Sequence, residues 1–174
     1  MAESDDVMPE MLVEAHREPF DYRGGLGVDF EPYPQFQSEA ETAEWWQAWT
    51  GNPAVDGAEF RVFGQDGAGG LAAFWLVRGG RPVVQQPVVF LGSEEETGVV
   101  AGDVDGYLWL LAGGFGPYEA MLYPHHEHEP QVDARLTQTA ERWAPSGRQT
   151  ASEVITSARE EFPTFGEIVR SQLR

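Results

Sequence analysis

Residues 60–75 have the sequence FRVFGQDGAGGLAAFW, in which two apolar runs are joined by a glycine-rich turn. Short runs of aromatic and branched residues bounded by glycine are typical of β-strands. Because the connection is short, we expect the two strands to pair antiparallel. Ala72 to Leu76 are all apolar, which predicts that the second strand lies in the middle of the sheet and is covered on both faces.

Similar patterns extend outward from this pair and predict strands at residues 58–63, 70–77, 83–91 and 98–101. Upstream, Ser38 and Glu41 match a capping box for a helix that should end at Gly51. Downstream, Asp103 or Asp105 can cap a second helix that the glycines after residue 112 should end.

The last third of the chain shows helical spacing of apolar residues in three segments, and Thr164 with Glu167 matches another capping box. The sequence therefore predicts an α+β fold: a single domain with a mainly antiparallel sheet of about four to six strands, flanked by N-terminal and C-terminal helices. We assign residues 38–174 to this domain. Residues 1–37, acidic and rich in proline, are predicted to be a partly extended lead-in, although Met8–His16 is compatible with a short helix.

Composition limits the partners of the protein. The chain has 29 acidic and 11 basic residues, a formal net charge of -18, which argues against binding to nucleic acid or to an anionic membrane. Cysteine is absent, which excludes disulfides and thiolate chemistry. The acidic N-terminus and the lack of an apolar run of roughly 20 residues predict a cytoplasmic protein whose partners are neutral or basic.

The order of these features over roughly residues 38–120 resembles the SUKH superfamily. The resemblance rests on the turn at Gly64–Gly70, the apolar strand after it, the strand Pro87–Leu91 that leads into an acidic loop, and the helix that contains Tyr107–Leu111. The best-known members are a fungal cell-wall regulator and many bacterial immunity proteins that bind a cognate toxin.

The resemblance implies a non-enzymatic protein-binding domain, and we favour an immunity protein that neutralises a basic, nuclease-type toxin. A regulatory scaffold protein of the same fold is the alternative within that family. The negative charge suits the first interpretation, because a nuclease holds phosphates with basic side chains and an acidic surface can dock there.

Three adjacent carboxylates, Glu94, Glu95 and Glu96, are the first candidates for contact with such a partner, followed by Trp46 and Asp66. Each has a plainer interpretation. The glutamates suit a solvated turn, the tryptophan suits packing against the sheet of its own chain, and Asp66 suits a tight turn that needs positive φ angles.

A second class of function depends on His125, His126 and His128, which alternate with carboxylates in the segment His125–Glu129. Imidazole and carboxylate are proper ligands for zinc, nickel or copper. However, the histidines lack the spacing of four that aligns ligands on a helix, and flanking prolines indicate an extended loop. We therefore predict no metal, no cofactor and no catalytic residue, and keep a metal-dependent enzyme as the weaker alternative.

Overall fold

The structure, a computed structural model, describes residues 5–125 and 127–174, which contain five strands, seven α-helices and two short 3-10 helices. The strands are β1 (Glu31–Pro32), β2 (Phe60–Gln65), β3 (Leu71–Trp75), β4 (Val88–Leu91) and β5 (Thr97–Ala101). The helices are α1 (Glu10–Ala15), α2 (Glu39–Thr50), α3 (Val104–Ala112), α4 (Pro117–Leu122), α5 (Ala134–Trp143), α6 (Ala151–Glu161) and α7 (Phe165–Arg170).

The strands form one antiparallel sheet in the order β1-β2-β3-β4-β5, which confirms the predicted α+β fold. β3 is the middle strand, and all five of its side chains are buried, as its unbroken apolar run indicated. Successive side chains of a strand point to opposite faces, so β3 supplies two separate cores.

The first core lies under α1, α3, α5 and α6 and includes Phe74 and Phe63. The second core lies on the other face, under α2 and α7, and includes Trp75, Trp46 and Phe165. The C-terminal third is helical, as predicted, and its helices are divided between the two faces of the sheet.

The predicted helix after Ser38 is confirmed at both ends. The Ser38 backbone N–H donates to Glu41 Oε2 at 3.1 Å, while the Glu41 N–H donates to the Ser38 hydroxyl oxygen at 3.3 Å. Gly51 ends the helix with φ 63°, a left-handed conformation that glycine adopts without steric cost.

The capping box predicted at Thr164 is wrong. Thr164 has φ -102° and ψ 4°, outside the extended conformation of an N-cap, and its side chain makes no capping hydrogen bond. A capping box that we did not predict begins α6, where Thr150 and Glu153 exchange hydrogen bonds.

The strand predicted at residues 83–91 is wrong in its first half, because residues Val83–Gln85 form a short 3-10 turn. Gln86 explains the break: its side chain accepts a hydrogen bond from Arg78 N at 2.8 Å and donates to the carbonyls of Arg78 and Arg81. The buried amide thereby holds the connection after β3, and regular pairing begins only after Pro87.

The short helix compatible with Met8–His16 is present as α1, and residues 5–37 pack onto the rest of the domain. Leu12 and Ala15 of α1 are fully buried in the first core. Arg135 of α5 donates to the carbonyl oxygens of Glu14 and Ala15 at 3.1 and 3.2 Å, and β1 pairs with β2. None of the helices in the described ranges has the length and apolar character needed to cross a bilayer.

We predict that Leu12→Ala lowers the free energy of unfolding by about 2–5 kcal/mol, because it leaves a cavity in the first core. Val13→Ala is the matched control on the same helix: Val13 is 49% exposed, and its loss should change stability by about 0.5 kcal/mol or less. Chemical denaturation measures both. Equal, small effects would show that α1 contributes little to the domain.

Candidate partner-binding surface

The candidate functional site is one end of the sheet, where two turns lie side by side. Leu71 at the start of β3 pairs with Gln65 on one side and with Leu91 on the other, and Leu91 pairs with Thr97. This register brings the β2–β3 turn and the β4–β5 hairpin to the same end. We call this surface the acidic end, and define it by seven carboxylates: Asp29, Glu31, Asp66, Glu94, Glu95, Glu96 and Glu119.

The β4–β5 hairpin carries three of the predicted site residues. Glu94 and Glu95 are exposed and Glu96 is half-buried. Glu95 adopts φ 73°, which a residue with a side chain rarely adopts. A Cβ at Gly92 would lie 2.7 Å from the Glu96 carbonyl oxygen, a backbone atom of the paired strand, so the close approach of the two strands requires glycine at position 92. The hairpin therefore presents its carboxylates from a tightly constrained backbone.

Asp66, also predicted to bind a partner, is buried and holds the β2–β3 turn instead. Its Oδ1 accepts hydrogen bonds from Ala68 N at 3.0 Å and from Gly70 N at 2.7 Å. Burial raises the pKa of Asp66, although the hydrogen bond from Gly70 N opposes this effect. Asp66 lies at the acidic end as a positioning residue, and its side chain is not available for direct contact.

Trp46, predicted as a candidate for contact with a partner, is only 1% exposed. Its side chain packs in the second core, which is the plainer of the two interpretations given above. Its indole N–H donates to Gln172 Oε1 at 2.9 Å, and its ring packs against Phe60. Sequence spacing shows which tryptophans share a face of α2, but not which ring the C-terminal residues cover.

Trp49 is the tryptophan that reaches the acidic end. Its indole N–H donates to the Gly92 carbonyl oxygen at 2.8 Å, which ties α2 to the β4–β5 hairpin. The ring is half-buried and stacks on Trp45 at 5.9 Å between centroids. The spacing of four between Trp45 and Trp49, which places both rings on one face of the helix, is the sequence signal for this contact.

Glu119 and Asp29 belong to the same surface but were missed by sequence reasoning. Glu119 Oε1 accepts from Asp29 N at 2.8 Å, and Oε2 accepts from Gly116 N at 3.1 Å. Asp29 Oδ1 accepts from Gly67 N at 2.9 Å. These bonds join α4, the segment before β1 and the β2–β3 turn. Glu119 stands at the third position of α4, where a carboxylate is favourable, but its burial depends on packing.

Tyr118 lies among these carboxylates. Its half-buried ring packs edge-on against Phe90 at 5.8 Å between centroids. Burial, followed by the charges of Asp66, Glu96, Glu119 and Asp29, raises the pKa of its phenol. The acidic end therefore combines negative charge with two half-buried aromatic rings, Tyr118 and Trp49.

Arginines do not neutralise this surface. The four ion pairs of the described residues lie elsewhere and join Arg23 to Glu129, Arg61 to Asp6, Arg78 to Glu161 and Arg142 to Glu14. Arg135 and Arg159 donate to main-chain carbonyls near the ends of α1 and α4. The exposed carboxylates Glu94 and Glu95 therefore give this end a negative potential, which in general speeds association with cationic proteins.

The histidine segment does not converge on a metal site in the described part of the chain. His125 is exposed, and His128 packs edge-on against Phe115 at 4.5 Å between centroids. His126 lies outside the described residues. Within residues 5–125 and 127–174, no three His, Asp or Glu side chains lie close enough together to hold a metal ion.

Comparisons of the chain with protein-family models, with curated proteins and with solved structures find no match. The resemblance to the SUKH superfamily therefore rests on the sequence pattern described above.

The left-handed conformation of Glu95 predicts that Glu95→Gly raises the free energy of unfolding by about 0.5–1 kcal/mol. Glycine removes the steric cost of that conformation, which exceeds the entropy cost of glycine. Glu94→Gly is the control that removes the same charge from a neighbour without positive φ, and it should be neutral or destabilising. If both variants changed stability alike, charge and not backbone strain would be the cause.

Burial raises the pKa of Glu119 from 4.5 to about 6. The hydrogen bonds from Asp29 N and Gly116 N lower the pKa, but their effect is smaller than that of burial. Because the folded pKa is the higher one, the favourable contribution of this group is complete below pH 4.5 and is lost as the pH rises through about 6. The loss should amount to about 2 kcal/mol.

Unfolding free energies measured from about pH 4 to pH 7 test this value. Glu119→Gln should remove the pH-dependent loss, while Glu160→Gln, an exposed position on α6, should follow the wild type. Burial lowers the pKa of His16 to about 3, an effect of opposite sign that cancels in the comparison because every variant retains His16. Parallel curves for Glu119→Gln and wild type would contradict the assignment.

Proposed function

We propose that this chain is a non-enzymatic protein-binding domain that docks a basic partner on the acidic end of its sheet. Within that class, we propose an immunity protein that binds and neutralises a cognate nuclease-type toxin. The observation that carries the proposal is that the hairpin with Glu94, Glu95 and Glu96 is flanked by Trp49 on one face of the sheet and by Tyr118 on the other. In the described ranges no arginine pairs with these carboxylates.

Each component has a separate physical role. Exposed carboxylates such as Glu94 and Glu95 steer a cationic protein toward the surface and set its orientation. Aromatic rings supply most of the affinity at protein interfaces, because they bury a large area with little loss of side-chain freedom. Trp49 and Tyr118 are held by a hydrogen bond and by ring packing, so little ordering is needed when a partner binds.

A nuclease is a suitable partner for such a surface. Its substrate-binding face must carry Lys and Arg to hold phosphates, and carboxylates can occupy the same positions. An acidic protein that covers this face prevents substrate from binding. The strained backbone at Glu95 supports the proposal, because such strain often persists where a side chain is retained for function.

The test begins with capture of the partner on the immobilised protein from a lysate of the source organism at low salt, followed by identification by mass spectrometry. We expect one basic protein at near-equal stoichiometry. The triple variant Glu94→Gln, Glu95→Gln, Glu96→Gln should slow association about tenfold at low salt and weaken the salt dependence of the rate.

The matched control is Glu10→Gln, Glu141→Gln, Glu160→Gln, which changes the net charge equally at exposed positions on α1, α5 and α6. Equal effects of the two triple variants would mean that overall charge, and not the acidic end, drives association. An acidic partner would contradict the proposal. A basic partner without toxin activity would favour the regulatory scaffold instead of the immunity protein.

A further inference from the structure

The edge of β5 beside the acidic end offers a second recognition element, a groove that begins where the acidic hairpin stops. β5 is the last strand of the sheet, and within the described ranges no strand pairs with its outer edge. α6 packs against β5 and contributes to both cores, so it covers part of this edge. A groove remains beside residues Thr97–Val99.

The hairpin geometry shows which backbone groups face this groove. Gly92 N donates to the Glu96 carbonyl oxygen, so residues 92 and 96 are a hydrogen-bonded pair. Hydrogen-bonded and non-bonded pairs alternate along antiparallel strands, so Thr97 and Val99, opposite Leu91 and Val89, are in non-bonded pairs. The N–H and C=O groups of Thr97 and Val99 therefore point away from β4, toward the open edge.

The groove has an apolar floor and a volume of about 570 Å³. Its lining includes Val99, Met121, Phe162 and Phe165. Gly166 also lines the groove and, lacking a side chain, fills little of it. Exposed prolines, Pro124 and Pro163, stand at its margins. Such a groove suits an apolar side chain carried by an extended chain.

The charges around the groove favour a basic occupant. Glu96 directly precedes Thr97, and the exposed Glu167 directly follows Gly166. Basic side chains lie at the other end of the groove: His125 is in the lining, and Arg170 Nη1 lies 3.4 Å from the position of a Cβ at Gly166. Arg159 also lines the groove, and its guanidinium donates to the carbonyl oxygens of Tyr123, Ala120 and Met121 at 2.7 to 3.1 Å. Its hydrogen bonds are thus directed into the end of α4, while the neighbouring carboxylates remain available.

From this juxtaposition we infer that the basic partner adds an extended segment to the edge of β5, pairing with Thr97 and Val99 and placing an apolar side chain in the groove. The segment alternates apolar and basic residues, because alternate side chains of a strand point in opposite directions. Its basic residues lie toward Glu94–Glu96. This inference rests on the proposed function, since the acidic end supplies the charge that selects the segment.

A synthetic peptide, acetyl-Arg-Val-Arg-Val-Arg-Val-amide, tests the inference without knowledge of the partner. In a titration followed by NMR, the amide signals of Thr97 and Val99 should shift saturably, and their hydrogen exchange should slow by about tenfold. Two further peptides carry N-methyl groups on the valines only or on the arginines only. One of these two should lose about tenfold in affinity and the other should not, since only one set of amides faces β5.

Gly166→Leu fills the groove and should weaken peptide binding about tenfold, while leucine improves the helix propensity of α7. The control is Gly79→Leu, which adds the same side chain where a Cβ meets no neighbour. If both N-methylated peptides bound like the parent, if Gly166→Leu had no effect, or if millimolar peptide left Thr97 and Val99 unchanged, strand addition would be refuted. Signals of Thr97 that change on dilution of the protein alone would assign the groove to a second copy and refute it as well.

The Glu94→Gln, Glu95→Gln, Glu96→Gln variant separates this inference from the proposed function. In one outcome the triple variant loses affinity for the peptide, while N-methylation of the peptide and Gly166→Leu have no effect. The acidic end would then remain the binding surface, and only strand addition would be refuted. In the other outcome the triple variant keeps its affinity for the peptide, while N-methylation of the peptide lowers that affinity. Strand addition would then be retained, and the acidic end would be refuted as the source of selectivity.

Discussion

Burial of β3 on both faces is the constraint on which the rest of the structure depends. Its five residues are all buried, and their alternate side chains supply two cores. The helices must then cover both faces, which places α2 and α7 on one side and α1, α3 and α5 on the other. The hydrogen-bonded register of β3 with its neighbours also places the two turns together, so the acidic end is a consequence of how the sheet is built.

Concentrating carboxylates at one end of a sheet carries a physical cost. Burial raises the pKa of Glu119, which means that its charged form is disfavoured there, and Glu95 adopts a backbone conformation better suited to glycine. A network of backbone N–H groups offsets part of the cost by donating to Asp29, Asp66 and Glu119. The cationic partner proposed above would offset this cost by pairing with the exposed carboxylates.

The two proposed recognition elements are continuous along the chain. The acidic hairpin attracts charge over a distance, while the edge of β5, which follows it directly, offers hydrogen bonds and an apolar groove at short range. Long-range attraction raises the rate of association, and short-range pairing with a defined register gives selectivity. With both elements, a small domain would distinguish its partner from other basic proteins that charge alone would also attract.

By itself, the sequence determined the α+β class, the central position of β3, the capping box of α2 and the overall negative charge. These properties follow from local patterns: apolar runs, turn glycines and side chains that bond to the backbone within three or four residues. The tertiary structure decided the burial of Leu12, the hydrogen bond of Gln86, the choice of Trp49 over Trp46 at the acidic end, and the meeting of Asp29 with Glu119. Each of these depends on residues far apart in the chain, such as Trp46 and Gln172 or Asp29 and Glu119, which packing brings together and no local pattern encodes.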